Sequence, residues 1–318
     1  MNDENINMID VFSSFERQSD DAVAIEFTME GWSLPSGGHL QGIQRIDIAS
    51  RTPGETSKEY FIISGSSDSE AYFIVVGGTP GGYSIVQKKI VCGDPYRHAG
   101  GIQIIDNYLA VGVEDNSEKD RSRVYFFHIA NPEKPIGDPI ITIQRKGEKK
   151  RATAGAVAVV KRPTDHLLIV GTWDSDTLDF YKSNGTALGE CDPKGKSKCE
   201  FTYWRTWNKD DACRKGWCDD TWGSYQNLNL ISDVNDRLFL LGYYYDAEDG
   251  RDYIDLYSLD LSKPSPKMIK KESSKCVKCK GGASFRYGGG GYVGDGKSLV
   301  SYACERNCRD RTVINEFR

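Results

Sequence analysis

The chain has 318 residues and a mass of 35.5 kDa, with 38% hydrophobic and 27% charged residues, a globular composition that excludes wholesale disorder. A net charge of −5 and a pI near 5.6 argue against a dedicated nucleic-acid binder, which carries a basic balance. No apolar run approaches the length of a membrane span, and the opening MNDENINMIDVFSS lacks the basic start and apolar middle of a secretion signal.

Strand chemistry begins at 22–29. The phrase HLQGIQRI follows at 39–46 and returns at 98–105 as HAGGIQII. Looser copies are TAGAVAVV at 153–160, SYQNLNLI at 224–231 and RYGGGGYV at 286–293, so the spacing runs from 55 to 71 residues. Each copy leads into a turn, then an apolar run (108–113, 167–171, 238–243 and 299–302). An acidic loop and a third run rich in β-branched and aromatic residues come next, at 71–76, 123–129, 177–181, 253–259 and 312–317. A fourth run shows at 83–91 and 139–144. Such runs between turns predict strands, and helical periodicity is almost absent.

Supersecondary units recurring at this period stack on one another, and four strands per unit repeated radially make a propeller. The fifth unit stops after its third run, which leaves 22–29 to supply its outer strand. On these five phrases the chain resembles the five-bladed β-propeller superfamily over residues 22–318. The expectation is an all-β fold in which 1–318 form one five-bladed propeller domain with four antiparallel strands per blade. The blades fall near 38–92, 97–145, 152–207, 223–271 and 285–318 plus 22–30, the N-terminal strand closing the last. The superfamily includes glycoside hydrolases, nucleotidases and sugar-binding lectins, so the resemblance leaves function open.

Position by position, the phrase separates packing from chemistry. Its fourth residue (Gly42, Gly101, Ala156, Asn227, Gly289) is small, as crowded inner strands require. Gln44, Gln103 and Asn229 are placed either to tie neighbouring blades through their amides or to line the channel. Its first residue (His39, His98, Thr153, Ser224, Arg286) is polar and is expected to ring the funnel mouth. Trp204, Trp207, Trp217 and Trp222, with basic residues at 145–151 and at Lys275, Lys278 and Lys280, are expected in loops at the same mouth. These features favour a lectin-like module that binds a glycan or a small anionic or polyhydroxylated ligand. The alternatives are a hydrolase of glycans or phosphate esters using Glu114, Asp174 or Glu305, and a protein-interaction scaffold.

Eight of nine cysteines form close pairs: Cys191/Cys199, Cys213/Cys218, Cys276/Cys279 and Cys304/Cys308. They predict four local disulfides and an extracellular or periplasmic setting, the rival being zinc held by Cys276, Cys279, Cys304 and Cys308. Cys92 is left as a buried small hydrophobe. No cofactor is expected, calcium at Asp174-Ser175-Asp176 or at 246–249 being the alternative. The expected partner is a small-molecule or glycan ligand, or another protein, with no nucleic acid.

Overall fold

In the computed structural model, which describes residues 7–46, 58–191, 198–214, 222–294 and 298–318, every copy of the phrase becomes the first strand of an antiparallel ladder. Helix α1 (Met8–Glu16) and strand β1 (Val23–Thr28) precede β2 (Leu40–Ile46), β3 (Glu59–Gly65), β4 (Glu70–Thr79) and β5 (Gly82–Gly93). The second sheet is β6 (His98–Ile105), β7 (Tyr108–Glu114), β8 (Arg121–His128) and β9 (Ile141–Lys146). The third is β10 (Ala156–Lys161), β11 (His166–Gly171), β12 (Thr177–Ser183) and β13 (Phe201–Asn208), followed by the short helix α2 (Lys209–Arg214). The fourth is β14 (Asn227–Ser232), β15 (Leu238–Asp246), β16 (Arg251–Leu259) and β17 (Ile269–Val277). Last come β18 (Ala283–Gly294), β19 (Ser298–Glu305) and β20 (Arg311–Phe317).

The fold is all-β with ladders of four, as expected. The N-terminal strand β1 pairs with β20 from Val23 opposite Glu316 to Thr28 opposite Arg311, completing the last ladder. One feature departs from five separate sheets. The first and last ladders fuse into a closed eight-stranded sheet, because Gly289 meets Gly42 on the inner side and β1 meets β5 at Phe27–Tyr83 on the outer side. The first strands adjoin in the order β2, β6, β10, β14, β18 and back to β2, which is consistent with five blades.

The crowding at the centre is visible in the glycines. A Cβ on Gly42 would lie 2.8 Å from Ile102 N, and one on Gly101 would lie 2.7 Å from the Gln226 carbonyl oxygen. Buried amides tie the ring together. Gln103 Oε1 accepts from Val159 N and Leu230 N, both at 2.9 Å, and its Nε2 donates to the Leu230 carbonyl at 2.9 Å. Gln44 Nε2 donates to Asn229 Oδ1 at 3.3 Å, and the same oxygen accepts from Gly291 N at 2.8 Å. Each amide replaces water for backbone groups that a pleated stack leaves unpaired.

The outer strands of the third and fourth ladders fall on stretches expected as loops, and helix α1 is an addition to the expected strands. β13 takes up Trp204 and Trp207, and β17 takes up Lys275 and Cys276, stretches expected as loops. α1 buries Met8, Val11, Phe12 and Phe15, one face of a helix, against Phe239, Phe285 and Phe317.

Candidate functional site

A cavity of about 450 Å³ opens where the phrases begin. Strand side chains alternate, so the first and third positions of the phrase share a face. Accordingly His39 with Gln41, His98, Gly155, and Ser224 with Gln226 all line it, together with Arg286. The ends of the second strands and the connections after them add Glu114, Asn116, Trp173, Asp174, Tyr245 and Arg306.

The centre of this site is a polar chain. Gln41 Nε2 lies 3.1 Å from His39 Nδ1 and 2.9 Å from His98 Nε2. His98 Nδ1 is 3.1 Å from Glu114 Oε1, close enough for ion pairing although not aligned as a hydrogen bond. The other oxygen of Glu114 accepts from Ala154 N at 2.7 Å, which fixes a carboxyl group that is almost wholly buried. The His98 ring stacks on Trp173 at 8° and 6.2 Å. Burial pulls the His39 pKa down, with the positive potential of His98, Arg306 and Arg286 adding to it, against a contact from Nδ1 to the Leu40 carbonyl.

Asp174 follows Trp173 in a left-handed backbone conformation (φ +58°), and Ser175 repeats it (φ +56°). Such conformations cost energy in a residue with a Cβ and concentrate at functional positions. Gln226 Nε2 donates to Asp174 Oδ1 at 2.5 Å. Burial pushes the Asp174 carboxyl above its ordinary pKa, and nearby Asp176 adds to that shift.

Several expected site residues lie elsewhere. Thr153 is buried, its hydroxyl donating to the Lys150 carbonyl and accepting from Trp173 N, both at 2.9 Å. Glu305 is used as an acceptor for Val313 N at 2.8 Å and does not line the cavity. Trp207 is fully buried in the core, its ring 4.4 Å from that of Trp222, whose Nε1 donates to the Ser175 carbonyl at 3.1 Å. Trp204 sits on the outer strand between Lys182 and Arg205, whose cations stand 3.5 and 3.7 Å from its ring centre. None of these three lines the cavity, and Trp217 lies outside the described residues. The expected ring of cations is spent on structure as well. Arg145 and Arg151 both bind Asp179, and Lys275 and Lys280 donate to the Phe15 and Ala22 carbonyls at 2.7 and 3.0 Å.

Of the four cysteine pairs, Cys191–Cys199 is a disulfide. The Cys276/Cys279 and Cys304/Cys308 expectations are corrected: all four are free thiols, and Cys92 is half-buried instead of buried. Burial favours the protonated form, pushing the Cys279 and Cys304 thiols far up and Cys308 up to about 11. Cys304 Sγ donates to the Tyr287 carbonyl at 3.4 Å, and Cys308 Sγ accepts from the Thr312 hydroxyl at 3.5 Å. Cys218 and the side chain of Cys213 lie outside the described residues. Among the described residues no group of three or more His, Cys, Asp or Glu is arranged to hold a metal ion. At the two stretches weighed for calcium, Asp176 meets Lys209 Nζ at 2.6 Å, and Asp246 and Asp249 accept from Glu248 N and Arg251 N at 2.8 and 2.9 Å.

The signal for Gln41, Gln226 and Trp173 was present in the sequence. Period-two alternation from the first position reaches the third, and Trp173 immediately precedes an acidic residue already singled out.

No protein-family model and no curated protein matches the sequence. Solved structures do match in fold. One is a bifunctional GH43-CE protein of Bacteroides eggerthii, with TM-score 0.50, 11% identity, and coverage of 89% of this chain and 34% of that one. Another is an exo-β-1,3-galactanase from Phanerochaete chrysosporium, with TM-score 0.49, 8% identity, and coverage of 92% and 63%. A third is the catalytic domain of a GH62 α-L-arabinofuranosidase from Coprinopsis cinerea, with TM-score 0.47, 10% identity, and coverage of 94% and 98%. This chain thus spans about a third of the length of the first and under two thirds of the second. The likeness is one of fold alone and singles out no family. The expectation of a lectin-like module is corrected to this extent: these three similar structures are described as a GH43-CE protein, a galactanase and an arabinofuranosidase, and none of them as a lectin.

Proposed function

We propose that the protein is a hydrolase of glycans that uses Glu114 and Asp174. The observation that carries this reading is the meeting of two carboxyl groups from adjacent sheets in one cavity, each held differently. Asp174 is half-buried beside another acid and keeps its proton to higher pH, which suits a general acid. Glu114 is gripped by Ala154 N and lies against His98, which suits a base. In the proposed step the proton of Asp174 passes to the glycosidic oxygen as its bond to the anomeric carbon breaks. Water adds to that carbon and gives its proton to Glu114. The cavity volume falls within the range of small-ligand sites. The glycan class comes from the printed descriptions of the similar structures, which name a galactanase and an arabinofuranosidase.

In the same reading 1–318 form a single five-bladed propeller domain, with blades near 38–92, 97–145, 152–207, 223–271 and 285–318 plus 22–30, and the eight-stranded sheet counts as two blades joined at their edges. The Cys191–Cys199 disulfide supports an extracellular or periplasmic setting. The test is release of reducing sugar from arabino-, xylo- and galacto-oligosaccharides by the wild type, Asp174→Asn and Glu114→Gln. Turnover that both variants abolish supports the assignment, and turnover that survives in both removes it. Release of phosphate from a phosphate ester, with no sugar released, would replace glycan by phosphate ester.

A further inference from the structure

Arg286 and Arg306 are the two guanidinium groups on the cavity wall, and among the described residues neither makes a side-chain hydrogen bond or ion pair. Other arginines of the loops near the mouth do have carboxylate partners. Arg145 and Arg151 bind Asp179, and Arg97 Nε lies 3.2 Å from Asp94 Oδ1. The two unpaired groups flank one ring, the Arg286 guanidinium carbon 5.9 Å and that of Arg306 5.7 Å from the centre of Tyr287. They approach from different strands. Arg286 belongs to β18 and Arg306 follows β19, where its carbonyl accepts from Leu40 N at 2.7 Å and so ties this connection to the start of β2. His39 stands 6.2 Å from the same Tyr287 ring, and its proton affinity is depressed by both arginines. Glu114 ends the second strand of the second sheet and Asp174 follows that of the third, so the cavity carries positive charge from one pair of strands and carboxyl groups from another.

Arg286 feels the Asp174 carboxylate through space but forms no contact ion pair with it, so two like charges share one wall and a bound oxyanion would relieve their repulsion. Arginine forks suit an oxyanion in particular, since their paired N–H groups match two oxygens at once. A neutral sugar offers neither guanidinium a charged partner.

We propose that the glycan accepted here is acidic, its oxyanion seated between Arg286 and Arg306 beside Tyr287 while the bond to be cleaved faces Glu114 and Asp174. This rests on the hydrolase reading of the same cavity for the second clause alone. The first clause is a statement about binding. The oxyanion has two chemical sources, the carboxylate of a uronosyl residue and a sulfate ester.

The experiment measures binding by calorimetry on Asp174→Asn, which separates affinity from turnover. The ligands are a uronosyl oligosaccharide, its carboxyl-reduced counterpart and a sulfated oligosaccharide of equal length. The expected result is at least about tenfold tighter binding of one charged ligand than of the reduced one, a preference that weakens as salt rises. In Arg286→Gln/Arg306→Gln the charged ligand should fall to the level of the reduced one. Both positions are exposed, so the double variant should keep its thermal midpoint, which circular dichroism checks. Whether uronosyl or sulfated sugar binds tighter identifies the source, and either supports the proposal. Equal affinity for charged and reduced sugars overturns it, as does a preference that survives in the double variant. The two readings fail separately: charge-selective binding with no hydrolysis by the wild type removes catalysis and keeps the oxyanion site. Equal hydrolysis of charged and reduced sugars, with equal affinity, does the reverse.

Discussion

The amide of Gln226, the third residue of its repeat, donates to Oδ1 of Asp174, an acid held on a left-handed turn of the preceding sheet, at 2.5 Å. A packing repeat and a reactive group thus meet in one bond. Because burial raises the Asp174 pKa, the folded state holds this proton more tightly than the unfolded chain. The group's contribution to stability is therefore complete below the ordinary carboxyl range and is lost as pH rises through the raised value. Asp174→Asn is expected to cost about 10²–10⁴-fold in turnover. The same variant should melt higher than wild type at pH 7 and lose that advantage toward pH 4. Thermal scans across that range check the sign, and a variant less stable at pH 7 contradicts it.

Glu114 gives a complementary result. Its Oε2 accepts from Ala154 N, so Gln at this position keeps an acceptor and Ala does not. Glu114→Gln should lose turnover with little change in unfolding midpoint. Glu114→Ala should also lose about 1–3 kcal/mol of stability, the cost of an orphaned buried donor. Urea titration of the pair separates chemistry from folding.

His39 predicts an acid limb. Its folded pKa is below the ordinary 6.5, so the unfolded chain takes up the proton first. Stability present above that value is lost as pH falls below it. His39→Gln should flatten the fall in melting temperature between pH 7 and 5. An unchanged slope would assign the limb to other groups.

Thiol chemistry tests the cysteine correction. Alkylation of denatured, unreduced protein should mark Cys92, Cys276, Cys279, Cys304 and Cys308, while Cys191 and Cys199 react after reduction only. A peptide map linking Cys276 to Cys279 would restore the sequence expectation.

How far the fold was legible follows from which constraint each residue obeys. Gly42, Gly101, Gln44 and Gln103 answer to the crowded centre, a constraint repeated in every unit, so the phrase exposed them directly. The outer strands β13 and β17 obey weaker rules. An outer strand can carry an exposed Lys270 or a half-buried Arg205, and the polar run conceals the strand. Trp204 and Trp207 read as a platform because aromatic density does not tell core from surface. Trp207 is the roof of a buried cluster with Tyr225 and Leu228. The first position of the phrase brought four of five residues to the cavity, and Thr153 was diverted to brace Trp173. Arg306 escaped notice because it belongs to no repeat.

Helix α1 supplies the last prediction. Met8, Val11, Phe12 and Phe15 are spaced as one helical face, but the polar residues around them hide the stripe. The helix C-terminus leaves carbonyl groups without partners, and its last turn holds no basic residue of its own. Lys275 of β17 fills that role from a position only 4% exposed, donating from Nζ to the carbonyls of Phe15 at 2.7 Å and Gln18 at 3.0 Å. Nζ also stands 4.7 Å from the centre of the Phe15 ring and 3.6 Å from Asp20. Lys275→Met keeps the length and apolar stem of the side chain but removes the donor. It should lower the free energy of unfolding by about 1–3 kcal/mol. Phe12→Ala, which empties a fully buried site under the same helix, should cost about 3–5 kcal/mol. Both variants leave the cavity residues untouched, so turnover per folded molecule should hold at 25 °C. Urea midpoints for the two variants beside wild type check the order, and a Lys275→Met midpoint equal to wild type would show that water caps the helix as well as the lysine does.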